Sequence, residues 1–264
     1  MNHPSEQFPE SVCMEAMQLA GKIIMENGGE TYRAEETITR MGAGFGLEEV
    51  ESFAVPSGLF ISCRGEDGNP VTSVKRVRRL SRNLTRVDET NEVSRRVFAG
   101  EMDAGSALSK LKEIDAMPGG FPGLWGLPAA FLCAAGFTAL FGGSFLSIAA
   151  AGTVALFVQG METLLARFRS RGMAASLFGG LMTALLPALL AMLLPALETE
   201  LVVAGAVMPL VPGLAMTNAV QDTMRGDMVS GLSHGVQAIL TACLIAGGAL
   251  LAFTLLRLMT GGAV

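Results

Sequence analysis

The sequence has few of the residues from which most enzyme active sites are built. Its 264 residues include only two histidines, one tyrosine and one tryptophan. His3 is the only histidine of the polar first half, and a terminal segment seldom holds a catalytic base in a fixed position. The chain also has no Gly-x-Ser-x-Gly elbow and no Walker-type glycine loop. These absences argue against a serine hydrolase and against ATP-driven pumping by this chain.

Paired cysteines and a targeting segment are also missing. The cysteines are scattered without disulfide or metal-ligand spacing, at Cys13, Cys63, Cys133 and Cys243. We therefore predict packing roles for them and expect no disulfide, metal site or cofactor. Residues 1–9 carry no basic cluster and no apolar run, which predicts a cytosolic first domain without a cleavable signal peptide. Nothing in the composition indicates nucleic-acid binding.

Charge is scarce in the second half of the chain. Residues 1–123 hold 33 of the 43 charged residues, and none lies between Asp115 and Glu162. The formal net charge of −5 therefore comes from the first half. This division predicts an α+β cytosolic domain at 1–115, a Pro/Gly linker at 116–123 and an α-helical polytopic membrane domain at 124–264.

The first half contains helical patterns followed by short extended runs. Apolar residues recur at helical spacing from Ser11 to the glycine break at Gly28-Gly29. Three further helices are predicted, at Thr31–Gly42, Asp88–Ala99 and Asp103–Ile114, the last with Asp103 as its N-cap. Three strands of an antiparallel meander are predicted, at Val50–Val55, Leu59–Cys63 and Val71–Val77.

The second half is long enough for several membrane spans. One helix over Leu124–Met161 would be ~57 Å long, against a hydrocarbon core of ~30 Å, so Gly142-Gly143-Ser144 must separate two spans. Five transmembrane helices are predicted, at about 124–141, 144–161, 172–194, 201–217 and 228–256. Five spans are few to enclose a pathway, so we expect a second membrane chain or a homo-oligomer.

The loop between the second and third spans contains Arg167, Arg169 and Arg171. The positive-inside rule places these arginines in the cytosol. The N-terminal domain then lies in the cytosol as well, and the C-terminus lies outside. We expect a multi-pass protein of the plasma (inner) membrane.

The fourth span is interrupted by Pro209, Pro212 and Gly213. Proline lacks an N–H and crowds the carbonyl four residues earlier, so the carbonyls of Gly205 and Met208 are expected to lose their helical partners. Broken helices at membrane depth are tolerated where freed groups face protein or a water-filled cavity, as in transporters. The alternative is an ordinary proline kink in a packed helix.

Several polar groups are candidates for a substrate or ion path: Gln159, Glu162, Asn218, Asp222, Asp227, His234 and Gln237. A charged group at mid-bilayer costs ~2.5–3.5 kcal/mol on insertion scales, so those retained there are usually functional. Asp227 is equally consistent with a capping or loop role. His234 is either a proton carrier or a neutral hydrogen-bonding residue.

Eight basic residues lie between Lys75 and Arg96. Such a patch can hold anionic lipid or attract acidic metabolites, or it can be a solvated strand edge and helix face. Small residues in the spans, including Gly180 and Gly248, predict closely packed helices.

The order of several short motifs resembles the threonine/serine exporter family. Gly28-Gly29-Glu30-Thr31 is similar to the family's Gly-Ala-Glu-Thr element, with Gly in place of Ala. Val55-Pro56-Ser57-Gly58-Leu59, the arginine-rich segment and the stretch from Asn91 to Leu111 follow in the family's order. Met208–Gly213, Asp222, Gly226-Asp227 and Gly231 are similar to its Pro-x-x-Pro-Gly, Asp and Gly-Asp-x-x-x-Gly pattern.

The resemblance implies proton-motive-force-driven export of threonine, serine or a small dicarboxylate. Fused family members carry more spans in one chain, so this chain resembles the larger chain of the two-component form, which is associated with succinate export. Its smaller partner would supply the remaining spans. Two alternatives stay open: a membrane-anchored hydrolase-like enzyme using carboxylates such as Glu30, or a regulatory subunit of a transporter.

Overall fold

The structure, a computed structural model, describes residues 10–65, 67–78, 81, 83–118, 123–165 and 173–259. The chain divides into two compact units, Met1–Gly120 with Thr217–Gly235, and Phe121–Met216 with Val236–Val264. The arginine loop at 167–171, on which the predicted orientation depends, lies outside the described residues, as do Arg79, Arg82 and 119–122 of the linker. The predicted domain boundaries stay a prediction.

The first unit combines helices with one small sheet. Its helices are α1 Glu10–Glu26, α2 Thr31–Gly44, α3 Leu84–Phe98 and α4 Ala104–Ala116. Its strands are β1 Glu51–Val55, β2 Gly58–Arg64 and β3 Pro70–Arg76. They form an antiparallel sheet in the order β1-β2-β3, which confirms the predicted meander. Residues 217–235 add the end of α9 (Gly213–Met224) and the start of α10 (Met228–Met259).

Helix α1 lies at the centre of this unit. Its apolar stripe includes Met17, Ile23 and Ile24, which are fully buried. It packs against α2, α3, α4 and the sheet, where Leu59 and Ile61 alternate on the buried face of β2. The apolar residues that recur every 3.6 positions in α1 and at every second position in β2 thus face one shared core.

Helix α3 begins at Leu84, four residues before the predicted start at Asp88. The reason is the side chain of Asn83, which accepts a hydrogen bond from the Arg86 amide at 3.3 Å and caps the helix. Later in α3, Arg95 pairs with Glu92 within the helix. This pairing is typical of a solvated helix face.

The predicted N-cap of α4 is confirmed. Asp103 is in an extended conformation, and its carboxylate accepts a hydrogen bond of 2.7 Å from the amide of Ser106. This bond satisfies one of the N–H groups that have no partner inside the helix.

Replacing Asp103 should loosen the first turn of α4. Asp103→Ala removes the cap and is expected to cost about 1 kcal/mol of stability. Hydrogen exchange of the α4 amides measures the effect, with Asp103→Asn as the control because asparagine caps equally well. Equal exchange rates of the α4 amides in Asp103→Ala and Asp103→Asn would show that the cap does not stabilise the helix.

The second unit is built from apolar helices: α5 Gly123–Leu140, α6 Phe145–Leu165, α7 Met173–Leu193, α8 Thr199–Val207, and the remaining parts of α9 and α10. The predicted separation of the first two spans is confirmed, because α5 ends before Gly142, which has a φ of +85°, and α6 begins after Ser144. The core between α5, α6 and α8 is rich in alanine and valine, including Ala134, Ala151 and Val154.

Three described helices are long and apolar enough to cross a membrane: Phe145–Leu164, Met173–Leu193 and Met228–Met259. A fourth candidate is the pair Thr199–Leu210 and Gly213–Met224, which is bent by 58°. The stretch Trp125–Leu140 of α5 is apolar but shorter. The chain is therefore a mostly helical, multi-pass membrane protein with a small N-terminal sheet.

The predicted packing role of the glycines holds for some positions and not for others. An added Cβ would overlap Thr138 at Gly205, Ile245 at Gly180 and Leu177 at Gly248. By contrast, no described atom lies within 4 Å of a Cβ built at Gly136 or Gly160. Close helix approach therefore depends on particular glycines and not on glycine content.

Candidate functional site

The fourth apolar segment is broken, as predicted, but the break does not free the expected carbonyls. A single 3-10 turn at Met208–Leu210 follows α8. The amide of Met208 donates to the carbonyl of Gly205, and the amide of Val211 donates to that of Met208 at 3.2 Å. Hydrogen bonds between residues three apart replace the helical bonds between residues four apart that the two prolines remove. The expectation of unpaired carbonyls at Gly205 and Met208 is therefore wrong.

The segment after the break forms a tight hairpin of α9 and α10. Gly226, with a φ of +94°, ends α9, and the amide of Asp227 donates to the Asp222 carbonyl at 2.9 Å. Helix α10 begins at the next residue. A Cβ at Gly231 would overlap Thr223 Oγ1 and lie 3.0 Å from the carbonyl oxygen of Ala219, so glycine allows the two helices to approach closely here.

Asp222 is the centre of the candidate site. It has no exposed surface. Its Oδ1 accepts a hydrogen bond of 3.0 Å from Thr31 Oγ1. Its Oδ2 accepts no hydrogen bond from any described residue, and His234 Nε2 lies 3.7 Å from it. A buried carboxylate with one unsatisfied oxygen is costly and is often retained for a function.

Thr31 is the first residue of α2, so Asp222 lies at the N-terminal end of that helix. The helix macrodipole and the hydroxyl donor both favour negative charge at this point. His234 adds a second group that can carry a proton. The arrangement can therefore exchange a proton between Asp222 and His234.

The turn between α1 and α2 makes a second contact with α9. Asn218, which is buried, donates from Nδ2 to the Gly28 carbonyl at 3.4 Å. Gly28 has a φ of +90°, and a Cβ at Gly29 would lie 3.0 Å from the Ile24 carbonyl oxygen. The positive φ of Gly28 favours glycine at that position, and the turn leads directly into Glu30 and Thr31.

A third contact joins α2 to the end of α9. The Arg225 guanidinium carbon lies 3.5 Å from the ring centroid of Tyr32. Such cation–π contacts contribute about 0.5–2 kcal/mol. On the same helix, Arg33 pairs with Glu30 at 2.8 Å. The first turn of α2 thus contacts α9 through a hydroxyl and an aromatic ring.

A polar groove of about 530 Å³ lies beside these contacts, lined by Tyr32, Glu35, Glu51 and Arg225 among others. Glu35 Oε1 accepts a hydrogen bond of 2.7 Å from the Ala54 amide. Burial raises the pKa of the Glu35 carboxyl, and the charges of Asp227 and Asp222 add to the rise, whereas the Ala54 bond opposes it. The groove therefore combines three glutamates with Arg225, and it includes the Tyr32–Arg225 contact between α2 and the end of α9.

The structure brings together four of the predicted residues and leaves others apart. In the first unit, Asp222 contacts Thr31 and lies 3.7 Å from His234, and Asn218 contacts the turn that precedes Glu30 and Thr31. Asp227 directly precedes α10, and its carbonyl accepts the Gly231 amide, which is a helix-start geometry. Its predicted path role stays untested.

The remaining predicted residues lie outside these contacts. Gln237 is exposed on α10, and Gln159 and Glu162 are half-buried one turn apart on α6. Pro209, Pro212 and Gly213 form the break, and Pro56 occupies the β1–β2 turn. Sequence reasoning did not select Tyr32, Glu35 or Arg225. The status of Tyr32 as the sole tyrosine of the chain was the available signal.

One protein family matches the chain over nearly its whole length. The family model described as "Putative threonine/serine exporter" matches residues 15–256. The chain is 23% identical over 228 residues to a "Probable threonine/serine exporter" of Mycobacterium tuberculosis, a match that covers 86% of this chain but only 43% of that protein. It thus spans less than half the length of that relative. No solved structure matches the chain.

Two shorter relatives are matched over most of their length, and both are named "Probable succinate transporter subunit YjjP". The Klebsiella aerogenes protein is 25% identical over 241 residues, or 88% of this chain and 89% of that protein. The Escherichia coli protein is 23% identical over 244 residues, or 89% and 91%. All three relatives are named as transport proteins and not as enzymes. Because the family model covers nearly the whole sequence, this chain belongs to the threonine/serine exporter family of membrane transporters.

Proposed function

We propose that this chain is a subunit of a secondary transporter that exports a small metabolite by using the proton motive force. The substrate is threonine or serine, or a dicarboxylate such as succinate. The observation that carries the proposal is the buried Asp222 carboxylate, which follows the break in an apolar helix and has one oxygen free of hydrogen bonds from described residues, near His234.

In this proposal, Asp222 alternately binds a proton and the substrate's ammonium group. Its position on a broken segment fits the rule that transporters place binding groups at discontinuous helices. Pro209, Pro212 and Gly213 form the discontinuity, and His234 exchanges the proton with Asp222. A dicarboxylate would instead need donors such as Asn218 or Gln237, or groups supplied by a partner.

The proposed membrane arrangement has five spans. Helix α5 and the bent pair of α8 and α9 complete the three longer helices. The loop that contains Arg167, Arg169 and Arg171 lies on the cytosolic side of the plasma membrane, as does the N-terminal domain at 1–115. The C-terminus lies outside. Gln159 and Glu162 on α6 line a further part of the path.

A partner is part of the proposal. Two relatives that this chain matches over about nine-tenths of their length are named as transporter subunits. A second, smaller membrane chain, or further copies of this one, would supply the remaining wall of the path. The small residues of the spans provide surfaces on which other helices can pack closely.

Reconstitution tests the proposal directly. The purified chain is placed in liposomes alone and together with any smaller membrane chain that co-purifies with it. The liposomes are loaded with labelled threonine, serine or succinate, and a proton gradient is imposed. We expect efflux of at least one substrate, and an uncoupler should reduce it to the rate of protein-free liposomes.

The comparison of the two preparations separates the roles. Efflux that requires the co-purifying chain supports a subunit, whereas efflux from the single chain supports a homo-oligomer. If none of the three compounds leaves either preparation faster than protein-free liposomes, the proposed function is wrong.

A further inference from the structure

The hydrogen-bond donor to Asp222 comes from a distant part of the chain. Thr31 and Asp222 are 191 residues apart in sequence. Thr31 begins α2, whereas Asp222 lies on α9, after the break in the fourth apolar segment. Both are buried, with exposed fractions of 1% and 0%. Water is therefore a poor substitute for the Thr31 hydroxyl.

The backbone around Thr31 is fixed from both sides. The preceding turn is held by the Gly29 amide, which donates to the Ile24 carbonyl at 2.9 Å. The Gly28 carbonyl accepts from Asn218, and Tyr32 lies under Arg225. The Thr31 hydroxyl is therefore held at a defined position. The other carboxylate oxygen of Asp222, Oδ2, lies 3.7 Å from His234 Nε2.

We infer that Thr31 is a positioning residue for Asp222, so that the N-terminal part of the chain supplies one wall of the transport site and is not merely a soluble appendage. The inference rests on the proposed function, in which Asp222 binds the transported species. With Thr31 in place, one carboxylate oxygen is held and the other is available for exchange. Without the donor, the carboxylate can rotate and its binding geometry is lost.

Three variants test the inference in the reconstituted system. Thr31→Val keeps the shape and removes the donor, and Thr31→Ser restores the donor. Thr37→Val is the matched control, because Thr37 lies on the same helix, is buried, and donates to Asn91 Oδ1 at 3.1 Å away from Asp222.

We expect Thr31→Val to raise the apparent KM for efflux by about tenfold, the scale of one hydrogen bond to a charged group. Thr31→Ser should restore most of the wild-type value, and Thr37→Val should leave KM unchanged even if it lowers stability. A wild-type KM for Thr31→Val overturns the inference.

Hydrogen exchange of α9 decides the inference without relying on transport. Thr31→Val should accelerate exchange of the α9 amides near Asp222 by about tenfold, whereas Thr37→Val should not. Loss of transport in every preparation, with this exchange pattern intact, would contradict the proposed function alone. Unchanged α9 exchange in Thr31→Val would contradict the positioning role alone.

Discussion

Asp222→Asn should abolish efflux and leave the protein in the membrane. Asparagine has the shape of aspartate, and its oxygen can still accept the hydrogen bond from Thr31. It can neither bind a proton nor provide a negative charge for an ammonium group. Transport by a mechanism that uses Asp222 should therefore fall to the rate of protein-free liposomes.

The fold should tolerate this substitution. A buried carboxylate with an unsatisfied oxygen is costly, and a neutral amide at the same place removes the buried charge. Removing one partner of a fully satisfied buried ion pair would be different, but Oδ2 has no described hydrogen-bond donor. The amount of Asp222→Asn in the membrane and its gel-filtration profile should match the wild type.

Glu200→Gln is the matched control. It makes the same change from carboxylate to amide in the first turn of α8, the other half of the bent pair, where the side chain is exposed. We expect wild-type efflux from this variant. Wild-type efflux from Asp222→Asn as well would remove Asp222 from the mechanism and, with it, the observation that carries the proposed function.

The secondary structure could be predicted where a periodic pattern is continuous. Helix α1 and strand β2 follow their apolar spacing, and the N-cap at Asp103 lies where the sequence places it. Helix α3 was predicted too short because a single side chain, Asn83, moves its start by one turn. Local signals of this kind are easily missed by a reading based on periodicity.

The site was predictable only in parts. Asp222 and His234 are recognisable as polar residues in apolar segments, and the glutamate–threonine motif at Glu30-Thr31 is recognisable as a motif. Nothing in the local sequence shows that Thr31 meets Asp222, because such contacts depend on how segments 191 residues apart pack. The same is true of the stacking of Arg225 on Tyr32.

The expectation about the proline break shows a different limit of sequence patterns. Proline identity predicts correctly that a regular helix cannot continue through Met208–Leu210. It does not predict where the carbonyls then find donors, since a 3-10 turn can satisfy them locally. The physical basis for a site at this segment is consequently the buried Asp222 side chain and not the backbone of the break.

Gly248→Ala should force α7 and α10 apart and lower the stability of the apolar helices. A Cβ at this position would overlap the carbonyl oxygen of Leu177 and would lie 2.6 Å from the amide nitrogen of Leu181. Both are backbone atoms of α7, which cannot move aside by changing a rotamer. The two helices would have to separate, at a cost of about 1–3 kcal/mol for overpacking.

Gly247→Ala is the control on the neighbouring residue. A Cβ there would lie 3.8 Å from Leu177 Cδ1, an ordinary contact distance. Since alanine favours the helix over glycine by about 0.8–1 kcal/mol, this variant should be neutral or slightly stabilised. Thermal unfolding in detergent, followed as loss of the gel-filtration peak, should show a Tm several degrees lower for Gly248→Ala only. Equal Tm values for the two variants would mean that α7 and α10 do not pack through this glycine.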